Sequence, residues 1–247
     1  MDLDISKTLD KEAELKKKSE ERKTEEVEHD YGDKPNSKNI IIMILIIAGI
    51  FVMILGGFKL YDHFTAAGVV DIDQMHQDNL EGKLSDDKGY VYNGFSFVNV
   101  DGLWWTEVNR LGTLVKIPLH FGPRDVENIT ITGQLSDDFN KGNDVYVSID
   151  PTVVSGHYVI AMREISANVG QGINRNSVGA CTKDNAGCED RKILSCKDTQ
   201  GLPVIDLEIA DKPGIELSGT CIKVKGKDYD IIRAANRLLY KWYGVMD

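Results

Sequence analysis

Residues 40–58 read IIIMILIIAGIFVMILGGF, an unbroken apolar run with no charged residue, Pro, Asn or Gln. As a helix it spans about 28 Å, the thickness of a bilayer's hydrocarbon core. A buried helix of a soluble protein ordinarily keeps a polar stripe at this length, and this run has none. The pattern predicts a transmembrane helix over residues 40–60, with the lipid bilayer as its first partner.

The flanks give the direction. Arg22, Lys23, Lys34 and Lys38 precede the run, whereas Lys59 is the only basic residue after it until Lys83. Basic flanks stay cytoplasmic, so the expected topology is a single pass in the plasma membrane, N-terminus inside and C-terminal part outside. A cleaved signal peptide is the rival reading. The apolar run is too long for one, and the small residues Thr65-Ala66-Ala67 lie well past it, which favours an uncleaved signal anchor. Gly49 and Gly56 share a helix face and would let a second helix approach there. No GxxxG accompanies them, and a lone anchor is the plainer reading.

Working outward, residues 1–39 form a charged cytoplasmic tail. Residues 7–28, KTLDKEAELKKKSEERKTEEVE, mix both signs with almost no apolar face, and Glu12/Lys16 and Glu14/Lys18 are favourable i,i+4 pairs. A solvated helix is expected, serving either as a soluble tail or as a dock for a cytoplasmic partner. Residues 61–89 read as a polar, acidic linker, either a short helix or a stalk. Its Asp71, Asp73, His76 and Asp78 lack both the calcium-loop pattern and zinc-ligand spacing, so they are expected to be solvated.

Residues 90–247 are long enough for one compact domain. With 39 acidic against 29 basic residues the chain carries a formal charge of −10, which argues against nucleic acid as a partner. The first half of the domain alternates as strands do: residues 95–100 and 103–108 flank Asp101-Gly102, a strong hairpin signal. Residues 113–121 continue the pattern after Gly112. Pro118 within them marks an edge, because it cannot donate to a ladder. Residues 129–132 and 145–149 are further strand candidates. Beyond Tyr158 the period becomes helical, through Met162, Ile165 and Val169. Strands are expected at 192–196, 204–209 and 215–224. A final helix carries the apolar stripe Ile231, Ala235, Leu238, Leu239 and Trp242, with Gly244 as its cap. The sum is an α+β domain: a mostly antiparallel sheet with helices on one face.

The cysteines are Cys181, Cys188, Cys196 and Cys221. Zinc clusters usually include a close C-x2-4-C knuckle, absent here, and an even count outside the cytoplasm points to two disulfides. Three connectivities are open. The favoured one closes the loop TKDNAG with Cys181–Cys188 and ties two strands with Cys196–Cys221. No CxxC lowers a thiol pKa, so structural bridges are expected in place of redox-active ones.

No Walker loop, dinucleotide fingerprint, HExxH or GxSxG occurs. No catalytic set, cofactor or metal is therefore expected. Of the histidines His29, His63, His76, His120 and His157, only the last two lie in residues 90–247, and both read as structural or capping residues. Trp104 and Trp105 face opposite sides of one strand; one should enter the core, and the other should pack or stack on a ligand. Asn128-Ile129-Thr130 is an N-glycosylation sequon placed at a strand start.

The pieces ACTKDNAGC, ILSC, LPVIDLEI, SGTCIKVKG and RAANRLLYKWYG, in this order over about 90 residues, resemble single-pass membrane-anchored proteins predicted in archaeal genomes. The first half is similar only around GFSFVNVDGLWWTEV. The resemblance implies a cell-surface domain and brings no activity, so it assigns no functional residue. The expected function is a membrane-anchored binding or structural domain with a protein partner in a cell-envelope assembly. The alternatives are an extracellular hydrolase of peptide or glycan and an accessory subunit of a membrane complex.

Overall fold

The computed structural model describes residues 37–66, 70–110 and 112–247. Of the tail expected at residues 1–39, residues 1–36, with the expected 7–28 helix and the basic residues Arg22, Lys23 and Lys34, lie outside them. The chain divides after Val69 into two units, each considered by itself.

The first unit contributes helix α1, Ser37–Ala66. Its stretch Ile40–Gly57 is long and apolar enough to cross a membrane and is exposed throughout. Among the described residues it is the one helix of that kind. Ile, Leu, Met, Phe and Val point outward on every side, so no face of it is suited to water.

The second unit, Val70–Asp247, is α+β with two sheets. The first is an antiparallel meander of β1 (Gly89–Tyr92), β2 (Phe95–Val100), β3 (Leu103–Arg110) and β4 (Thr113–Leu119). Two-residue turns set its register. Asn93-Gly94 and Asp101-Gly102 all hold positive φ, the geometry whose twist matches the flanking strands. Pro118 lies on β4, an edge strand as expected, opposite Trp105. Trp104 enters the shared core and packs on Tyr90.

Helix α2 (Ile72–Leu80) closes over β1 and β2. Residues 70–89 of the expected linker thus belong to the compact unit. Among the four residues read as solvated, His76 is the correction: it is buried, with Nδ1 2.9 Å from Ser96 Oγ. Buried Asn79 donates to the Tyr90 carbonyl at 3.0 Å. Asp71 caps the helix by accepting from the Asp73 amide, and Asp73 pairs with Lys116.

The second sheet corrects the antiparallel expectation. It holds β5 (Ile131–Leu135), β6 (Asp144–Ile149), β7 (Asn176–Cys181), β8 (Val204–Ile209), β9 (Gly214–Gly219) and β10 (Cys221–Gly226), in the order β5-β9-β10-β8-β6-β7. Only β9 and β10 pair antiparallel; every other neighbouring pair is parallel. The cause is the crossover helix α3 (Gly156–Ile173), which carries the chain from β6 back to the start of β7. Parallel strands are covered on both faces, and so β6 and β8 each bury four residues in succession.

Two different layers provide that cover. On one face lie α3 and the C-terminal helix α4 (Tyr229–Trp242), which share a core with Val145, Val147, Ile205, Leu207, Ile222 and Val224. On the other, residues 182–203 fold over Tyr146, Val204 and Cys221 with Leu194 and Leu202. That irregular layer holds the disulfides Cys181–Cys188 and Cys196–Cys221, in the favoured pairing. Residues 192–196 are not the strand expected; they make isolated bridges, and Cys196 lies in the loop. The strand expected at 215–224 is the hairpin β9–β10, turned at Gly219 with φ +55°. Helix α4 buries Ile231, Ala235, Leu238 and Leu239 as its stripe predicts, and Gly244 follows it at φ +70°.

Candidate functional site

In an open parallel sheet, ligands bind where neighbouring strands send their connections to opposite sides. Strand β6 continues through α3 to β7 on one side, and β8 continues to β9 and β10 on the other. A crevice of about 350 Å³ opens at the carboxyl ends of these strands. Asp150 follows β6, Thr182 follows β7, Asp206 and Glu208 come from β8, and Lys223 comes from β10. Ser195 and Lys197 of the disulfide-held layer form its far wall.

Tyr158 of α3 fixes the floor. Its hydroxyl donates to the Leu207 carbonyl at 2.7 Å and accepts from the Asp150 amide at 2.9 Å, so it ties the end of β6 to β8. Burial pushes its pKa up to about 12 and keeps the hydroxyl protonated.

Most charges around the crevice are already matched. Lys183 lies 3.0 Å from Asp150, and Thr152 donates twice to the same carboxylate. Burial raises the Asp150 pKa, but these donors outweigh it and the net shift is downward. Lys223 and Glu208 are 2.9 Å apart, and the contact raises the lysine's pKa.

Asp206 differs. It is 6% exposed and accepts the Cys196 amide at 2.9 Å through Oδ2, yet it has no ion pair among the described residues. Burial drives its pKa up. A buried carboxylate with one backbone donor is under-compensated. The arrangement suits a ligand that brings a positive, hydrogen-bond-donating group to Asp206. A carboxyl that holds its proton longer than usual is also what a general acid requires.

The raised pKa carries a stability consequence. The folded state retains its proton above 3.8, where the unfolded chain loses it, so this group contributes less stability as pH rises through the folded pKa. Asp206→Asn keeps an acceptor for Cys196 and removes the titration. Chemical denaturation of both proteins between pH 3 and 7 is expected to show the variant gaining on the wild type as pH rises. A constant difference across that range would contradict the assignment.

The residues singled out by sequence fall elsewhere. Gly49 and Gly56 lie on α1 with open space around them. Asn128 is exposed in a turn before β5, not at a strand start, so its side chain is accessible. His157 lies in the first turn of α3 against Tyr229, with Ser155 as the cap. His120 follows β4 and meets Glu164 of α3. Of the four cysteines only Cys196 touches the crevice chemistry, through its amide. Asp150, Asp206, Glu208 and Lys223 escaped the sequence reading. The one local signal was an acid inside the apolar run LPVIDLEI. Among the described residues, no group of three or more His, Cys, Asp or Glu side chains gathers as metal ligands would.

Compared with protein-family models, curated proteins and solved structures, the chain finds no match.

Proposed function

We propose that this chain is a membrane-anchored binding domain of the cell envelope, held outside the cytoplasm by α1, with its ligand in the crevice beside Asp206. The observation that carries the reading is Asp206 itself, a buried carboxylate without an ion pair among the described residues, at a topological switch point. The ligand class it favours is an ammonium or guanidinium group, either of a small molecule or of a basic side chain on an envelope protein. The exposed apolar stretch of α1, the basic residues before it and the two disulfides support the extracytoplasmic placement. The resemblance of the second half, about 90 residues, to single-pass membrane proteins predicted in archaeal genomes agrees with it.

Two measurements test this. Protease added to intact cells should digest the C-terminal unit and spare the tail; digestion only after lysis would reverse the topology. Calorimetric titration of the full chain in detergent with n-butylamine at neutral pH should give saturable binding that Asp206→Asn weakens at least tenfold. Equal affinity in both proteins would remove Asp206 from the site.

A second reading has its own observation. A proton-retaining Asp206 near Asp150 and Glu208 offers the acid and base that glycan hydrolysis uses. Release of reducing ends from envelope polysaccharide, abolished by Asp206→Asn, would favour hydrolysis over binding.

A further inference from the structure

A second polar centre lies away from the crevice. Beside the end of β4, a cleft of about 370 Å³ runs between the first sheet and α3. Leu103, Pro118, Ile160 and Ala167 form apolar walls, and Arg163, Glu164 and Gln171 come from one face of α3. His120 stands at its edge.

Glu164 is almost fully buried, and every contact of its carboxylate is inward. Oε1 accepts the His120 backbone amide at 3.2 Å and lies 2.5 Å from His120 Nδ1. Oε2 accepts Asn236 Nδ2 at 2.5 Å, and fully buried Asn236 accepts the Phe121 amide at 2.9 Å. A carboxylate can only accept, so Nδ1 carries the proton of that contact. The opposite ring nitrogen, Nε2, makes no hydrogen bond among the described residues, and the imidazole is partly exposed. Burying a carboxylate is costly, and here its donors fix the orientation of a half-exposed ring. A link needed only to join β4 to the helices would not require a negative charge behind an imidazole.

The other polar groups of the cleft are spent as well. Asn168 accepts from the Tyr243 hydroxyl and donates to the Glu164 carbonyl. That leaves the His120 ring, the Arg163 guanidinium and the Gln171 amide. Arg163 is exposed, with no carboxylate partner among the described residues. In a chain of charge −10, this cleft offers donors and positive charge above an apolar floor.

We infer that the cleft between His120 and Arg163 is a binding site for a small carboxylate with an apolar body. One carboxylate oxygen takes a guanidinium N–H of Arg163. The other meets Nε2 of the same ring, which takes up a second proton as the ligand binds while Nδ1–H stays on Glu164. The apolar body lies on Leu103, Pro118 and Ile160. The head group comes either from a free carboxylic acid or from the C-terminus of a peptide ending in an apolar residue. Glu164 is a positioning residue, since its oxygens are already taken by His120 and Asn236.

The test uses the full chain in detergent and reads the ring nitrogens of His120 by NMR. Benzoate should shift them saturably, while benzyl alcohol and benzylamine bind at least tenfold more weakly. Arg163→Gln, at an exposed side chain that makes no hydrogen bond or ion pair among the described residues, should weaken benzoate at least tenfold, leave the melting temperature unchanged and leave benzyl alcohol unaffected. Asp206→Asn should bind benzoate as the wild type does, which separates this site from the crevice. A peptide ending in Leu-carboxylate that binds where its amide does not identifies a chain end as the source. Benzoate binding without peptide binding identifies a free acid. Equal binding of benzoate and benzyl alcohol, or undiminished benzoate binding by Arg163→Gln, overturns the inference.

Discussion

Tyr240→Ala is expected to destabilise the compact unit by about 3–5 kcal/mol, the range for deleting a large buried aromatic. Tyr240 is fully buried on α4. Its ring meets Phe97 of the first sheet edge-on at 5.6 Å, and its hydroxyl donates to the Phe121 carbonyl at 2.6 Å. The same helix packs on β10 of the second sheet, so this one side chain helps join the two halves of the core. Burial raises its pKa well above the ordinary tyrosine value, so the hydroxyl keeps the proton that it donates to Phe121. Tyr240→Phe keeps the ring and leaves one carbonyl unpaired, at a cost of about 1 kcal/mol. Urea denaturation of the pair separates the two contributions; equal losses in both variants would assign the effect to the hydroxyl and refute the packing argument.

Replacing Cys196 and Cys221 together by alanine should cost about 3 kcal/mol, because the bridge closes a loop with a sequence separation of 25. In a domain of this size that lowers the melting temperature by roughly 6–12 °C. The loss should be local before it is global. This bridge holds the layer that covers β6 and β8 and places the Cys196 amide on Asp206. Hydrogen exchange in residues 194–203 should therefore accelerate well before α4 loses protection. Simultaneous acceleration in both segments would mean that the layer and the helices unfold as one unit.

Legibility in the sequence followed distance along the chain. The apolar helix is a matter of composition over consecutive residues, and residues 40–57 stand out from sequence alone. The meander was readable because Asp101-Gly102 joins strands adjacent in both sequence and space. The second sheet was not, because its parallel neighbours come from distant segments: β5 pairs with β9, and β10 with β8 across another strand. Strand β7, NSVGAC, has too little apolar alternation to declare itself; α3 makes it a strand by returning the chain beside β6. His76 looked solvated because its partner, Ser96, lies on β2 across a turn. The crevice was hidden for the same reason, since each strand end supplies only one or two of its groups.

The contrast between the two sheets has a consequence for the order in which the polypeptide acquires structure. Strands β1 to β4 follow one another and pair in sequence, so the meander can zip up from local turns as soon as its own residues are available. The six-stranded sheet places β10 at its centre, between β9 and β8, and nothing can complete that sheet until this strand, the latest of the six in chain order, arrives. Cys196 waits on the same event, because its partner is the first residue of β10. During that interval its thiol is open to mispairing with Cys181 or Cys188. Loss of β10 would therefore leave β8 and β9 without their shared neighbour and turn both into exposed edges.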